Sequence, residues 1–149
     1  MSSAPSPGHR VHRGAPRTDL IRMVGGSSSA SPQRRAVNEL LVGYDDYIRA
    51  SHGAEVAGYV IQIAEDDALS IDLFDVTRHE VVVARHSEAA NTVLSTLGEV
   101  LLAARFFTPT ATRLVLLPGL PSPDLVDLLH ELDVTIVWPS GSGTFTRSR

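Results

Sequence analysis

Cysteine and lysine are both missing from this chain of 149 residues. Without cysteine there can be no disulfide and no thiolate metal site, a usage that fits a cytoplasmic protein. Without lysine no ammonium can serve as a catalyst or Schiff-base former; all 13 basic residues are arginine. No stretch reaches the roughly 18–20 continuous apolar residues of a membrane helix, so a soluble chain is expected. The N-terminus carries arginines but no apolar segment ahead of a cleavage site, so no secretion signal is expected. Also missing are a Gly-rich phosphate loop, a zinc-ligand spacing and a serine-hydrolase elbow; GSGTF near the end has no strand–helix context around it.

What is present is an ordinary globular composition, 43% hydrophobic, in a length that suits one domain with a tail. Charge is unevenly spread. Residues 1–36 hold six arginines (Arg10, Arg13, Arg17, Arg22, Arg34 and Arg35) and one acid, Asp19, for +5; the remainder holds seven arginines and sixteen acids, for −9, and together they give the net −4. A basic arm on an acidic body is a candidate nucleic-acid contact, and equally an arm that folds back on its own domain. A body at −9 argues against a broad phosphate-binding face.

Residues 1–31 are rich in Ser, Pro, Gly and Ala and are expected to be a disordered basic tail, with a short helical patch at most around Asp19 to Val24. Order is expected from Ser31–Pro32, an N-cap followed by proline at the first helical position. Val37, Leu40, Leu41, Tyr44, Tyr47 and Ile48 then recur at three- and four-residue spacing, predicting an amphipathic helix that ends near Gly53. Strands are predicted over 55–63, 68–74 and 80–85, with Asp75 to His79 as the hairpin loop between the last two. A long helix is predicted from about Glu88 to Phe107, capped by Ser87. A buried strand over 113–118, a helix over 122–132 with Ser122 as N-cap, and a strand over 134–138 follow. The domain spans 32–143, and 144–149 is expected to be a flexible C-terminus. The order αβββαβαβ implies an α/β fold, a mixed central sheet flanked by helices.

LSIDLFD (Leu69 to Asp75), VVVARHS (Val81 to Ser87), GEVLLAARFF (Gly98 to Phe107) and RLVLLPGLPSPDLVDLLHELDVTIVW (Arg113 to Trp138) carry a resemblance over about residues 33–143. They resemble the core of the restriction-endonuclease-like, or PD-(D/E)xK, superfamily. Within it they are similar to an actinobacterial group of nuclease-like domains often found with HNH or methylated-DNA-restriction modules. The resemblance implies a site in which carboxylates hold Mg2+ through oxygen ligands and a lysine neutralises developing charge.

Set on that pattern, Asp72 takes the place of the first aspartate. The glutamate of the E-x-K element falls on Val83 and its lysine on Arg85. Valine offers no ligand oxygen, and arginine is not a compact, deprotonatable ammonium. Glu99, on the following helix, and Glu39, on the first, are the residues that could complete a three-carboxylate metal set with Asp72, beside Arg85 and His86. Two expectations follow from the resemblance. The first is a degenerate nuclease-like domain that binds DNA or a protein partner in a restriction or defence context. The second is a Mg2+-dependent DNA endonuclease using Asp72, Glu99 and Arg85. His86 also reads as a hydrogen-bonded loop histidine, Asp75 as a turn residue and Ser87 as a helix cap.

Overall fold

The computed structural model describes residues 10–25 and 30–148. Among the described residues seven strands form one mixed sheet in the order of the sequence, β1 (Val11–Gly14), β2 (Val56–Ala64), β3 (Asp67–Asp75), β4 (Glu80–Ala84), β5 (Thr112–Leu116), β6 (Val134–Gly141) and β7 (Thr144–Ser148). Strands β1 to β4 pair antiparallel, β4 to β6 parallel, and β7 returns antiparallel on β6. Among the described residues there are four helices, α1 (Arg17–Val24), α2 (Pro32–His52), α3 (Ala90–Ala104) and α4 (Pro123–Glu131). The protein is thus α/β with a mixed sheet, and no described helix is long and apolar enough to cross a membrane.

The middle of the sheet is buried on both faces, which is why β4 reads EVVVA without alternation. Side chains of one parity, Val81, Val83, Val115 and Ile136, pack under α3 and α4. Those of the other parity, Val82, Ala84, Leu114 and Leu116, meet Leu41, Tyr44 and Ile48 of α2. Helix α2 begins and ends as its sequence dictates. Ser31 Oγ accepts from Arg34 N at 3.1 Å with Pro32 at the first position. Gly53 closes it at φ 60°, ψ 38°, a left-handed conformation glycine adopts without strain.

The expected disordered stretch 1–31 is corrected over its described part. Val11–Gly14 adds an edge strand to β2, and Arg17–Val24 is a helix lying on α2. Tertiary contacts hold both. Arg10 donates to the backbone carbonyls of Gln62 (2.8 Å) and Ile63 (2.6 Å), and Thr18 is fully buried against Asp45. Residues 1–9 and 26–29 of that stretch lie outside the described residues.

The expected flexible end is corrected too, since Thr144–Ser148 forms β7. Phe145 sets its ring edge-on to Tyr44, 5.4 Å between centroids, and Arg147 forms an ion pair with the buried carboxylate of Glu80. The helix expected over 88–107 is shorter. Its N-cap is Ala89, while Ser87 Oγ accepts from Ala89 N at 3.0 Å ahead of it. At the other end Arg105, Phe106 and Phe107 donate to carbonyls three residues back, a tightened exit rather than more α-helix. Ser122 precedes α4 as expected but makes no side-chain cap bond.

Candidate functional site

Strand β3 is irregular where the sequence places its candidate aspartate. Val56 and Ala57 of β2 pair with Asp75 and Phe74, but Tyr59 pairs with Ile71, so Asp72 and Leu73 together face Gly58 alone. The extra residue is a β-bulge, a device that re-aims a side chain. Its effect on parity is visible in the core: Ile71 packs under α3, Leu73 under α2, and Phe74 under α3 again. The pairing of β3 with β4 stops at Leu73–Val82. Past that point the ladder opens, and Asp72 lines a shared space with Ala84, Arg85 and His86 beyond the end of β4.

This space is a cavity of about 590 Å3 at the C-terminal end of β4. Its charged lining comes from five places: Arg17 at the start of α1, Arg34 in the first turn of α2, Asp72 on the bulge, Arg85 and His86 after β4, and Glu99 on α3. Arg85 is fixed by its own backbone, whose N–H donates to Leu116 O at 3.0 Å, and by a bond from Nη1 to Ala84 O at 2.9 Å. Its Nη2 sits 2.5 Å from Glu99 Oε1, both side chains 29% exposed.

Asp72 is partly buried, and burial pushes its carboxyl above the usual aspartate range, against the opposing pull of Arg17, Arg34 and Arg85. Those three guanidiniums therefore share one field with it. Neither Arg17 nor Arg34 is in ion-pair contact with a carboxylate among the described residues. Arg17 Nε is also buried with no hydrogen-bond partner.

The structure brings Asp72, Arg85, His86 and Glu99 into one cavity and leaves the other candidates outside it. Glu39 points from the far side of α2 into separate grooves with Val42 and Leu40. The three-carboxylate set of Asp72, Glu99 and Glu39 is accordingly not assembled, and among the described residues no group of three or more His, Asp or Glu is placed to hold a metal ion. Val83 is 6% exposed in the apolar cluster under α3. The donor set that remains, one half-buried aspartate and one glutamate already neutralised by Arg85, does not suit Mg2+, which needs unengaged oxygen ligands.

The six arginines of the basic arm divide. Arg17 and Arg34 face the cavity. Three others lie against the body, Arg10 over Phe106 and on β2, Arg13 on Glu55 at 2.5 Å and Arg22 on Asp46 at 2.6 Å, while Arg35 donates within the arm to Ala30 O at 2.6 Å. Asp75 is a turn residue as expected. Its Oδ1 accepts from Arg78 N at 3.0 Å, its Oδ2 lies 2.9 Å from His52 Nε2, and it is fully buried. The part of Arg17 and Arg34 in the cavity was not read from the sequence, where both counted only as tail charge. The one available signal was Arg34-Arg35 standing in the first turn of a helix, where acids are favoured.

No protein-family model, curated protein sequence or solved structure matches this chain.

Proposed function

We propose that the chain is a nuclease-like domain that has lost hydrolysis and serves as a binding or regulatory module, its former catalytic cleft kept as an arginine-lined cavity. The restriction-endonuclease-like reading rests on the motif resemblance and on the position of the cavity, at the end of the two strands that carry the LSIDLFD and VVVARHS segments. A DNA-restriction or defence setting follows from that resemblance alone.

The observation that carries the loss of hydrolysis is the Arg85–Glu99 contact. It engages Glu99, among the described residues the only other carboxylate lining the cavity with Asp72, where phosphodiester hydrolysis by this route needs both carboxylates available to metal. The competing endonuclease reading has in its favour that Asp72 and Glu99 line the same space.

Calorimetric titration of Mg2+ and Mn2+, paired with a nicking assay on supercoiled plasmid, separates the two. The module reading expects no saturable metal binding at millimolar concentration and no nicking. Metal binding and nicking that both vanish in Asp72→Ala would overturn it in favour of the endonuclease.

A further inference from the structure

We propose that the cavity between α1, α2 and β4 is a metal-independent site for a phosphate monoester, held by Arg17 and Arg34. The inference rests on reading the cleft as a binding site, and it names the chemistry that the site takes.

Two guanidiniums without an ion-pair partner face one cavity, and one of them has a buried, unpartnered Nε. Arg85 adds no free charge because Glu99 neutralises it. The cavity therefore offers Arg17 and Arg34 against Asp72 alone, and burial favours the neutral form of Asp72. Two unpaired guanidinium forks, each able to meet two oxygens, suit the three terminal oxygens of a monoester better than the two free oxygens of a diester. Guanidinium forks suit phosphate oxygens because two parallel N–H groups meet two oxygens.

Helix α2 supplies an independent argument. It runs for 21 residues and has no acid in its first turn, where it carries Arg34 instead. Cations at the positive end of a helix dipole destabilise it, and an anion seated there reverses the sign. The volume, about 590 Å3, lies within the roughly 300–1,000 Å3 of small-ligand sites. It leaves room beyond the phosphate for a sugar and base. The monoester can come from a free nucleotide or from the end of a nucleic-acid strand, and these share the chemistry that the arginines read.

The test is titration calorimetry on the whole chain, in EDTA, with four probes: inorganic phosphate, adenosine 5′-monophosphate, and a thymidine tetranucleotide with either a 5′-phosphate or a 5′-hydroxyl. The phosphate-bearing probes are expected to bind. A tighter mononucleotide marks the free nucleotide as source, and a tighter phosphorylated tetranucleotide marks the strand end. Arg34→Gln, on an exposed position that does not threaten folding, and Arg17→Gln are each expected to weaken binding by on the order of tenfold. Asp72→Asn is expected to tighten it severalfold, the opposite of what a metal ligand would give.

Absence of saturable binding by any phosphate-bearing probe at millimolar concentration would overturn the inference. So would equal binding of the 5′-hydroxyl strand, or indifference to both arginine substitutions. Because every arm contains EDTA, these outcomes are distinct from the metal binding and nicking that would overturn the module reading.

Discussion

The hydroxyl of Thr18 donates to the carboxylate of Asp45, 27 residues further on, and both side chains are fully buried. The same carboxylate accepts from Arg49 Nε at 2.5 Å and from Arg22 Nη1 at 3.3 Å. This clasp fixes α1 on α2 and so fixes Arg17, one residue before Thr18, at the mouth of the cavity. Replacing Asp45 with alanine strands a buried hydroxyl and frees two guanidiniums. The expected loss is about 2–4 kcal/mol, by analogy with one-sided deletion of buried charged hydrogen bonds. Urea denaturation measures it, and hydrogen exchange over residues 17–24 should rise more than exchange in β4 and β5. Equal loosening of both regions would show that the clasp does not act locally.

Gly58 is set against the bulge on one side and the β1–α1 turn on the other. A Cβ there would stand 2.5 Å from Ala15 O, a backbone atom that cannot move without displacing the turn. Gly58→Ala is therefore expected to cost about 1–3 kcal/mol, the range for overpacking. It should also move Arg17, so that the stability loss is accompanied by weaker phosphate binding. A variant of unchanged stability by urea denaturation would contradict the close approach.

Val83→Glu places a carboxylate where the proposed nuclease pattern would have one, yet Val83 belongs to the apolar cluster under α3. The substitution buries an unpaired carboxylate, at an expected cost of about 3 kcal/mol or more at pH 7. Such a group has its folded pKa raised above its unfolded value, so the penalty should shrink as pH falls and the carboxyl protonates. Denaturation curves at pH 7 and pH 4.5 test both parts. A near-neutral effect at pH 7 would mean that the side chain escapes into the cavity, which would revive the endonuclease reading.

Asp72 gives the milder form of the same behaviour. Burial raises its folded pKa above the unfolded value. Its contribution to stability is therefore fully present below the unfolded pKa and is lost as pH rises through the folded one. At pH 7 the ionised carboxylate is a burden that Asp72→Asn removes. The variant is expected to melt higher at pH 7, by up to about 3 °C for a chain this size, with the gap closing at pH 3. A lower melting temperature at pH 7 would mean that the three arginines outweigh desolvation.

Most of the scaffold was legible because its signals are local. Ser31, Pro32 and Gly53 bound α2 where their chemistry says they should, and the Val-rich β4 announces a strand covered on both faces. β1 and β7 were not legible because what holds them is remote. VHRG and TFTRS have little pattern of their own; Arg10 reaches carbonyls 52 and 53 residues away, and Arg147 reaches Glu80 across 67. The site was half legible. Asp72, Arg85, His86 and Glu99 follow from strand ends and the helix that succeeds them. Arg17 depends on the Asp45 clasp, and Glu39 fails because its turn of α2 presents it away from the cavity.

The bulge also separates the aspartate from the scaffold in heredity. With Asp72 taken out, Ile71 and Leu73 would be consecutive residues already facing opposite layers, and the irregularity opposite Gly58 would close, leaving only the register shift between Gln62 and Ala64. Loss of a single codon would thus remove the carboxylate and leave every core side chain on its present side. Substitution is not the only route by which a lineage could discard this site. The fold has a deletion open to it as well, one that spares the packing, at the position where the candidate chemistry stands.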